Sequence, residues 1–324
     1  NSTVSLLCIL QKIGSKMSIQ KLIFIILVSI LSFAGFSSQK LYDVVMAYER
    51  YSGGLETKSI ALDFGEIVYA ENDVQSDVTL VLIHGFGGNK DTWNWVVPKW
   101  TDKYHVLVLD MPGHGESVSQ KTLSYTMADQ AERLHQFLEA KGIRHFYLFG
   151  HSMGGAIAVH YAVNHSENVN ALILIDSMGM IQTKSDGVKL VERSEKNPLY
   201  DVCTEERLET LLNYSMYKPP YIPDIIKDAL LEEKCSRRDL EKVMYEDMYK
   251  DVNLSRMTKS IDIPTLILWG EKDRMTHVDD AAFFHESIKG SKLVILKEIG
   301  HVPILEAPEQ TADVIDTFIK QIEK

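Results

Sequence analysis

The residues with the clearest chemical potential lie at positions 150–154, which read Gly-His-Ser-Met-Gly. A strand-like apolar run, 146–149, precedes this pentapeptide, and a helix-like run, 155–164, follows it. A serine on a sharp strand-to-helix turn needs small neighbours, because the backbone passes close to itself there. The pattern predicts a nucleophile elbow with Ser152 as the attacking group. A glycine-rich turn with an ordinary capping serine is the alternative interpretation.

A serine hydroxyl is a weak nucleophile near neutral pH, so this hypothesis requires a base and a carboxylate that orients the base. Of the 11 histidines, His301 has the most suitable setting. It lies in a loop between a strand-like run at 292–296 and a helix-like run that begins at Pro308. We predict that His301 is the general base, with His277 as its main competitor.

The carboxylate is expected after another strand. Asp273 follows the apolar run 265–269, at the carboxyl end of a predicted strand, where open α/β sheets place functional groups. Asp176, at the end of the run 171–175, is the rival, because it could reach the same imidazole from an earlier strand. The chain order Ser, Asp, His fits both choices. The loop chemistry favours Asp273, and Asp176 would then be a strand-end cap.

Acyl transfer also requires backbone N–H groups that stabilise the oxyanion of the tetrahedral intermediate. The strand-like run 78–83 leads into a glycine-rich loop at 84–88, His-Gly-Phe-Gly-Gly, which leaves the main chain uncovered. We assign the N–H groups of Phe86 and Met153 to the oxyanion hole and expect His84 to brace the loop. A phosphate-binding loop is the alternative, but the Lys followed by Ser or Thr of a P-loop is missing.

The elements that position these residues alternate between strand-like and helix-like segments from residue 58 onward. Such alternation predicts an α/β fold, with a mostly parallel eight-stranded sheet covered by helices on both faces. The first two strands are expected to form an antiparallel hairpin. The predicted strands span 58–62, 66–69, 78–83, 105–110, 145–149, 170–175, 264–269 and 292–296.

One region, 178–258, interrupts the alternation with consecutive helix-like stretches separated by prolines. We predict that it is a helical cap inserted into a core formed by 55–177 and 259–324. A cap over the elbow would exclude water and line an apolar substrate pocket. The alternative is that its methionines and tyrosines only pack the cap onto the sheet. The pocket candidates in the cap and beside the elbow are Met178, Met216, Tyr217, His84, His151 and Val302.

Two of the three cysteines, Cys203 and Cys235, lie in the predicted cap. In an oxidising compartment they could form one disulfide. The sequence leaves this open, because it does not show whether their Cβ atoms come within bonding reach. No Cys/His cluster has zinc spacing, so no metal site is predicted.

Taken together, these motifs resemble those of the α/β-hydrolase superfamily. The resemblance is also carried by Asp-Met-Pro-Gly-His-Gly at 110–115, Trp-Gly-Glu-Lys-Asp at 269–273 and Gly-His-Val-Pro at 300–303. Within the superfamily, 84–93 and 216–221 are similar to bacterial lipases of the lipase 1 type and to membrane-anchored monoacylglycerol lipases. The resemblance implies ester hydrolysis through an acyl-enzyme, with Ser152, Asp273 and His301 as the triad and no cofactor.

Composition and the amino end bear on partners and location. The 324 residues carry a net charge of −11, which argues against a nucleic acid partner and against electrostatic docking on anionic lipid. The apolar run 22–36 follows three lysines, so residues 1–38 are predicted to be a signal peptide or a membrane anchor. Both interpretations place the catalytic part outside the cytoplasm, secreted, periplasmic or anchored.

The sequence therefore predicts a serine hydrolase that cleaves carboxylic esters of lipids, a lipase or monoacylglycerol lipase. The partner is a lipid or small-molecule ester, and the N-terminal segment allows membrane association. A short-chain esterase, a thioesterase or a C–C bond hydrolase would use the same groups. A non-catalytic protein that binds an apolar ligand under the cap is the alternative from another class.

Overall fold

The computed structural model describes residues 35–180 and 183–324. Its strands are β1 (Glu56–Leu62), β2 (Gly65–Glu71), β3 (Thr79–Ile83), β4 (His105–Leu109), β5 (Phe146–His151), β6 (Val169–Ile175), β7 (Thr265–Gly270) and β8 (Lys292–Leu296). They form one sheet in the order β1-β2-β4-β3-β5-β6-β7-β8. β2 pairs antiparallel with β1 and β4, and every other pair is parallel. The predicted eight-stranded, mostly parallel sheet is confirmed.

Helices connect and cover the strands. In the described part of the chain the α-helices are α1 (Ser38–Ser52), α2 (Met127–Lys141), α3 (Met153–Asn164), α4 (Asp186–Arg193), α5 (Glu205–Ser215), α6 (Asp224–Met248), α7 (Val278–Ser287), α8 (Pro303–Glu306) and α9 (Pro308–Ile322). Local sequence explains the ends of α2. The Thr126 hydroxyl accepts a hydrogen bond from the Asp129 N–H at the start, and Gly142 ends the helix at φ 67°.

The two faces of the sheet are buried by different helices, because successive residues of a strand point to opposite sides. In β5, Leu148 belongs to the apolar cluster that includes residues of α2, α3 and α7. Its neighbour Phe149 belongs to the second cluster, which includes residues of α9 and the indole of Trp93. The sheet is thereby held between two apolar layers, and its strand ends are fixed at one edge.

The segment between β6 and β7 carries α4, α5 and α6, where a helical cap was expected. A disulfide joins Cys203, just before α5, to Cys235 within α6, with the two Cα atoms 4.7 Å apart. The structure thus answers the question that the sequence left open. The domain limits themselves, 178–258 for the cap and 55–177 with 259–324 for the core, stay a prediction.

The predicted targeting segment, 1–38, lies outside the described residues except for its last four. From Ser38 the chain forms α1, which packs against α6. Leu41 of α1 is fully buried, and Arg50 makes an ion pair with Asp91 at 2.5 Å. Within residues 35–180 and 183–324, no helix combines the length and the apolar character needed to cross a bilayer.

Candidate active site

Ser152 lies between β5 and α3, on the turn that the sequence predicts. Its backbone has φ 53° and ψ −116°, a left-handed conformation that is rare and strained for a residue with a side chain. The neighbouring glycines make the turn fit, because a Cβ atom on Gly154 would lie 2.5 Å from the Ile83 carbonyl oxygen. The turn presents the Ser152 hydroxyl, and the residue remains partly exposed.

The His301 side chain joins Ser152 to Asp273. Its Nε2 atom lies 2.9 Å from the Ser152 Oγ atom, and its Nδ1 atom lies 2.8 Å from the Asp273 Oδ2 atom. The competitor His277 instead lies at the start of α7, where its Nδ1 atom accepts a hydrogen bond from the Asp279 N–H. The structure therefore brings together the three residues predicted as a triad, across loops that follow β5, β7 and β8.

Asp273 is buried and accepts several hydrogen bonds besides the one from His301. The N–H groups of Met275 and Thr276 donate to Oδ1 at 2.7 and 3.0 Å, and the Thr276 hydroxyl donates to Oδ2 at 2.6 Å. Burial opposes ionisation, but the imidazole of His301 and these hydrogen bonds hold the pKa of Asp273 below its usual value. Asp273 is thus the ionised partner of the imidazole.

The rival acid Asp176 lies beside this cluster without bonding to the imidazole. It is fully buried, and its Oδ1 atom accepts a hydrogen bond from the Gly270 N–H at 2.8 Å. Atoms of Asp176, Asp273 and His301 lie within 4.8 Å of one another, close enough to suggest a metal site. The hydrogen bonds from His301 and Thr276 already explain the position of the Asp273 carboxylate, without a role as a metal ligand.

The glycine-rich loop after β3 passes next to the elbow. A Cβ atom on Gly85 would lie 3.1 Å from the Ser152 Cβ atom, so the loop's main chain approaches the serine directly. Among the described residues, the N–H groups of Phe86 and Met153 have no hydrogen-bond partner. Two unpaired donors beside a nucleophile are the arrangement that an oxyanion hole requires.

His84 lies behind this loop and supports it. The side chain is fully buried, its Nδ1 atom donates to the Gly85 carbonyl at 2.8 Å, and its Nε2 atom accepts from the Met111 N–H at 3.1 Å. Burial lowers the pKa of His84, so the imidazole is neutral with its proton on Nδ1. With both nitrogens bonded to backbone, His84 offers no free polar atom to a substrate, although it was among the predicted pocket candidates.

His151, the neighbour of the serine, contacts the loop that carries the base. Its Nε2 atom donates a hydrogen bond to the His301 carbonyl oxygen at 2.7 Å. Burial and the nearby His301 ring lower the pKa of His151 to about 3, so the side chain stays neutral. His151 therefore fixes the backbone of His301.

Glu306 connects the same loop to the cap. Its Oε1 atom accepts from the Gly300 N–H at 3.0 Å, and its Oε2 atom accepts from the N–H groups of Tyr217 and Lys218 at 2.9 and 3.2 Å. The His301 N–H also donates to a cap carbonyl, that of Ser215, at 2.9 Å. No motif points to Glu306 in the sequence, because its partners are backbone N–H groups, two of them in a distant segment.

The remaining pocket candidates take different positions. The Met178 N–H donates to the Ser152 carbonyl at 3.0 Å, which places that residue beside the elbow. Met216 is buried, Tyr217 is exposed, and Val302 is half-buried next to His301. From α6, Tyr245 and Lys234 lie 6.1 and 5.7 Å from the centre of the Phe86 ring, so α6 packs against the glycine-rich loop. Thr276 and Tyr245 were not predicted, and neither belongs to a motif.

The comparisons with known proteins agree with this geometry. A sequence model described as the alpha/beta hydrolase fold matches residues 78–202. Lipase 3 of Moraxella sp. (strain TA144) is 35% identical over 86% of this chain and 90% of its own length. A Xenopus laevis monoacylglycerol lipase, abhd6-A, is 28% identical over 76% of each chain.

Among solved structures, one titled as a membrane phospholipase A and bacterial virulence factor is 35% identical. It superposes with a TM-score of 0.86 over 94% of this chain and 99% of its own. The strand order, the strained serine turn and the relatives lead to one assignment: the chain belongs to the α/β-hydrolase family.

Proposed function

We propose that this protein is a serine hydrolase that cleaves carboxylic esters of lipids, a lipase or monoacylglycerol lipase, through an acyl-enzyme. The observation that carries the proposal is the continuous hydrogen-bonded path from the Ser152 hydroxyl through His301 to Asp273, at 2.9 and 2.8 Å. A chain of nucleophile, base and carboxylate in this order activates a serine for acyl transfer.

In the first half-reaction Ser152 attacks the ester carbonyl while the His301 Nε2 atom takes the hydroxyl proton. The Asp273 carboxylate accepts the proton on Nδ1, which fixes the tautomer and stabilises the imidazolium. The N–H groups of Phe86 and Met153 bind the oxyanion of the tetrahedral intermediate. His301 then returns its proton to the leaving alcohol, and the acyl group stays on Ser152.

In the second half-reaction water attacks the acyl-enzyme. His301 takes a proton from this water, a second oxyanion forms at the same two N–H groups, and collapse of the intermediate releases the fatty acid and the free Ser152 hydroxyl. No step needs a cofactor, since each proton and each charge has a place on a residue of the chain.

A lipid substrate is supported by two independent considerations. Relatives with high coverage bear the names lipase and monoacylglycerol lipase, and the similar solved structure is titled as a phospholipase A. The cap segment that reaches His301 carries Met216 and Tyr217, side chains that suit a flexible acyl chain. With a net charge of −11, contact with lipid is expected to be hydrophobic rather than electrostatic.

We also propose that the protein works outside the cytoplasm, with residues 1–38 as its export signal or membrane anchor. The disulfide between Cys203 and Cys235 supports this location, because such bonds persist mainly in oxidising compartments.

The test is hydrolysis of p-nitrophenyl esters with acyl chains from two to sixteen carbons, beside monoacylglycerol and triacylglycerol emulsions. Wild-type protein should prefer medium or long chains, and Ser152→Ala should abolish turnover. A preference for acetate would favour a short-chain esterase. No turnover of any ester, together with tight binding of fatty acid, would favour the non-catalytic binder and overturn the proposal.

A further inference from the structure

Two carboxyl groups, those of Asp176 and Asp273, lie side by side in the buried part of the site. Asp176 has no exposed surface, and the exposed fraction of Asp273 is 8%. Their carboxylate atoms and the His301 ring fall within 4.8 Å of one another. Two like charges at such a distance, away from water, do not both persist, so one of the carboxyls carries a proton.

The hydrogen bonds decide which carboxyl is charged. Asp273 accepts four, from the Met275 N–H, the Thr276 N–H, the Thr276 hydroxyl and the His301 Nδ1 atom. Asp176 accepts one, from Gly270, and within the described residues its Oδ2 atom has no donor. Donors stabilise a negative charge. The charge therefore belongs on Asp273 and the proton on Asp176.

We infer that Asp176 is a neutral carboxylic acid whose Oδ2–H group donates a hydrogen bond to the Asp273 carboxylate and holds that carboxylate in place against His301. Asp176 is thus a positioning residue for the proposed ester hydrolysis, and this inference rests on the proposed function. It does not replace Asp273 as the acid of the triad, and it takes no proton from the substrate.

The Asp176 backbone is also fixed next to Asp273. The residue has φ 44°, a left-handed conformation that turns the chain at the end of β6. The Thr276 hydroxyl, whose single hydrogen is donated to Asp273 at 2.6 Å, also lies 3.2 Å from the Asp176 backbone carbonyl oxygen. Thr276 thus contacts both the Asp176 backbone and the Asp273 carboxylate, which places the two residues side by side.

The ionisable groups that face Asp176 come from three neighbouring elements: Asp273 after β7, His301 after β8 and Glu306 at the end of α8. Burial raises the pKa of Asp176 well above its usual value, and the negative charge of Asp273 raises it further. Glu306 acts in the same direction. These influences agree with the proton that the hydrogen bonds assign to Asp176.

The first test compares Asp176→Asn with Asp176→Leu. An asparagine amide can accept from Gly270 and donate to Asp273, as a neutral acid does, and it tolerates a left-handed backbone. Asp176→Asn should keep kcat within about threefold of wild type, whereas Asp176→Leu should lower kcat about tenfold to a hundredfold with little change in KM, because Asp273 loses its support. Melting temperatures show whether each variant is folded. Titration of Ser152 with a phosphonate gives the concentration of intact sites, so that kcat is compared per folded molecule.

The pH profile of kcat/KM gives a readout that a purely structural role would not move. If Asp176 is neutral, Asp176→Asn removes no charge, and the acid limb of the profile stays in place. If Asp176 were ionised, the same change would remove a negative charge beside His301, disfavour the imidazolium and shift the acid limb to lower pH. Such a shift, or an Asn variant as impaired as the Leu variant, would overturn the inference.

A second measurement is independent of turnover. In protein labelled with 13C at the aspartate carboxyls, one resonance should keep the chemical shift of a protonated acid between pH 5 and 8, and Asp176→Asn should remove it. If every aspartate carboxyl titrates as a carboxylate below pH 5, the inference is wrong. If wild type hydrolyses no ester but the protonated resonance is present, the proposed function fails while the shared proton stands.

Discussion

The reacting groups are held by two regions that work by different means. One is the sheet edge formed by the carboxyl ends of the strands, and the other is the cap. At the sheet edge, close backbone contacts leave no room for a change: a Cβ atom on Gly154 would overlap the Ile83 carbonyl, and Ser152 is kept at φ 53°. The cap meets that edge through separate hydrogen bonds, among them those of Glu306 to Tyr217 and Lys218 and that of the Gly187 N–H to the Arg274 carbonyl.

This difference separates two tasks. Groups that exchange protons need positions fixed to a fraction of an ångström, which packed strands and turns provide. A cover that admits a substrate must be able to move, and separate hydrogen bonds can break and re-form as it does so. We therefore expect substitutions of the residues that exchange protons at the sheet edge to abolish turnover and substitutions at the cap junction to reduce it.

The largest effect is expected at the sheet edge. His301→Ala should lower kcat by roughly four orders of magnitude or more, because neither the attack nor the departure of the alcohol then has a proton acceptor or donor. His277→Ala is the matched control and should stay within about twofold, since His277 only caps α7. Steady-state assays with one p-nitrophenyl ester measure kcat for both variants. Equal losses of kcat in the two variants would contradict the assignment of His301 as the base.

A smaller loss is expected where the two regions meet. Glu306→Ala removes the acceptor of Gly300, Tyr217 and Lys218 and should lower kcat about tenfold, because the loop of His301 loses its connection to the cap. Glu309→Ala removes only an exposed ion pair with Lys99 and serves as the control. Hydrogen exchange should quicken at 215–218 and 300–302 in the first variant alone. If hydrogen exchange and kcat are both unchanged in Glu306→Ala, Glu306 does not connect the His301 loop to the cap in a way that affects turnover.

Within the cap, stability should change more than turnover. The bond between Cys203 and Cys235 spans a sequence separation of 32 residues. On the chain-entropy model, such a crosslink stabilises the fold by about 3–4 kcal/mol. The double variant Cys203→Ser, Cys235→Ser should therefore melt several degrees lower while kcat at 25 °C falls only a few-fold. Calorimetry and the ester assay together test this prediction. A loss of turnover as large as that of His301→Ala would contradict the view that the cap disulfide acts mainly on stability.

The smallest effect concerns stability at the sheet edge under mild acid. The pKa of His151 is lowered to about 3 in the folded protein, from an ordinary value of 6.5. Between these two pH values the unfolded chain binds a proton at His151 that the folded protein does not bind. The contribution of neutral His151 to the free energy of unfolding is therefore fully present above pH 6.5 and declines as the pH falls.

His151→Gln removes this proton and retains a donor for the His301 carbonyl. Its free energy of unfolding should decline less steeply than that of wild type below pH 6.5, by about 1 kcal/mol per pH unit. Urea titrations at pH 7, 6 and 5 measure the slopes. The depressed pKa of Asp273 also makes stability fall on acidification, but equally in both proteins, so identical slopes would mean that His151 is not the cause.

The sequence allows the prediction of those parts of the site that depend on local patterns. Ser152 stands in a recognisable turn motif, and Asp273 and His301 each follow an apolar run, so the order of a parallel sheet brings their loops to one edge. The mostly parallel sheet follows from the same alternation of runs.

Contacts between distant segments leave no such pattern. The sequence presents Asp176 as a substitute for Asp273, and only the folded structure shows that the two are adjacent and differently hydrogen-bonded. Glu306 binds backbone N–H groups, which every residue type supplies, so its partners are invisible in the sequence. The disulfide likewise depends on the approach of the segment before α5 to α6.

The packing of α1 has a practical consequence for recombinant work. This helix covers part of α6, buries Leu41 and pairs Arg50 with Asp91, three residues beyond the glycine-rich loop. A shortened version that starts at the first strand would expose that side of α6 to solvent and leave a largely buried carboxylate without its counter-ion. Trimming should therefore stop before Ser37, whose hydroxyl caps the helix.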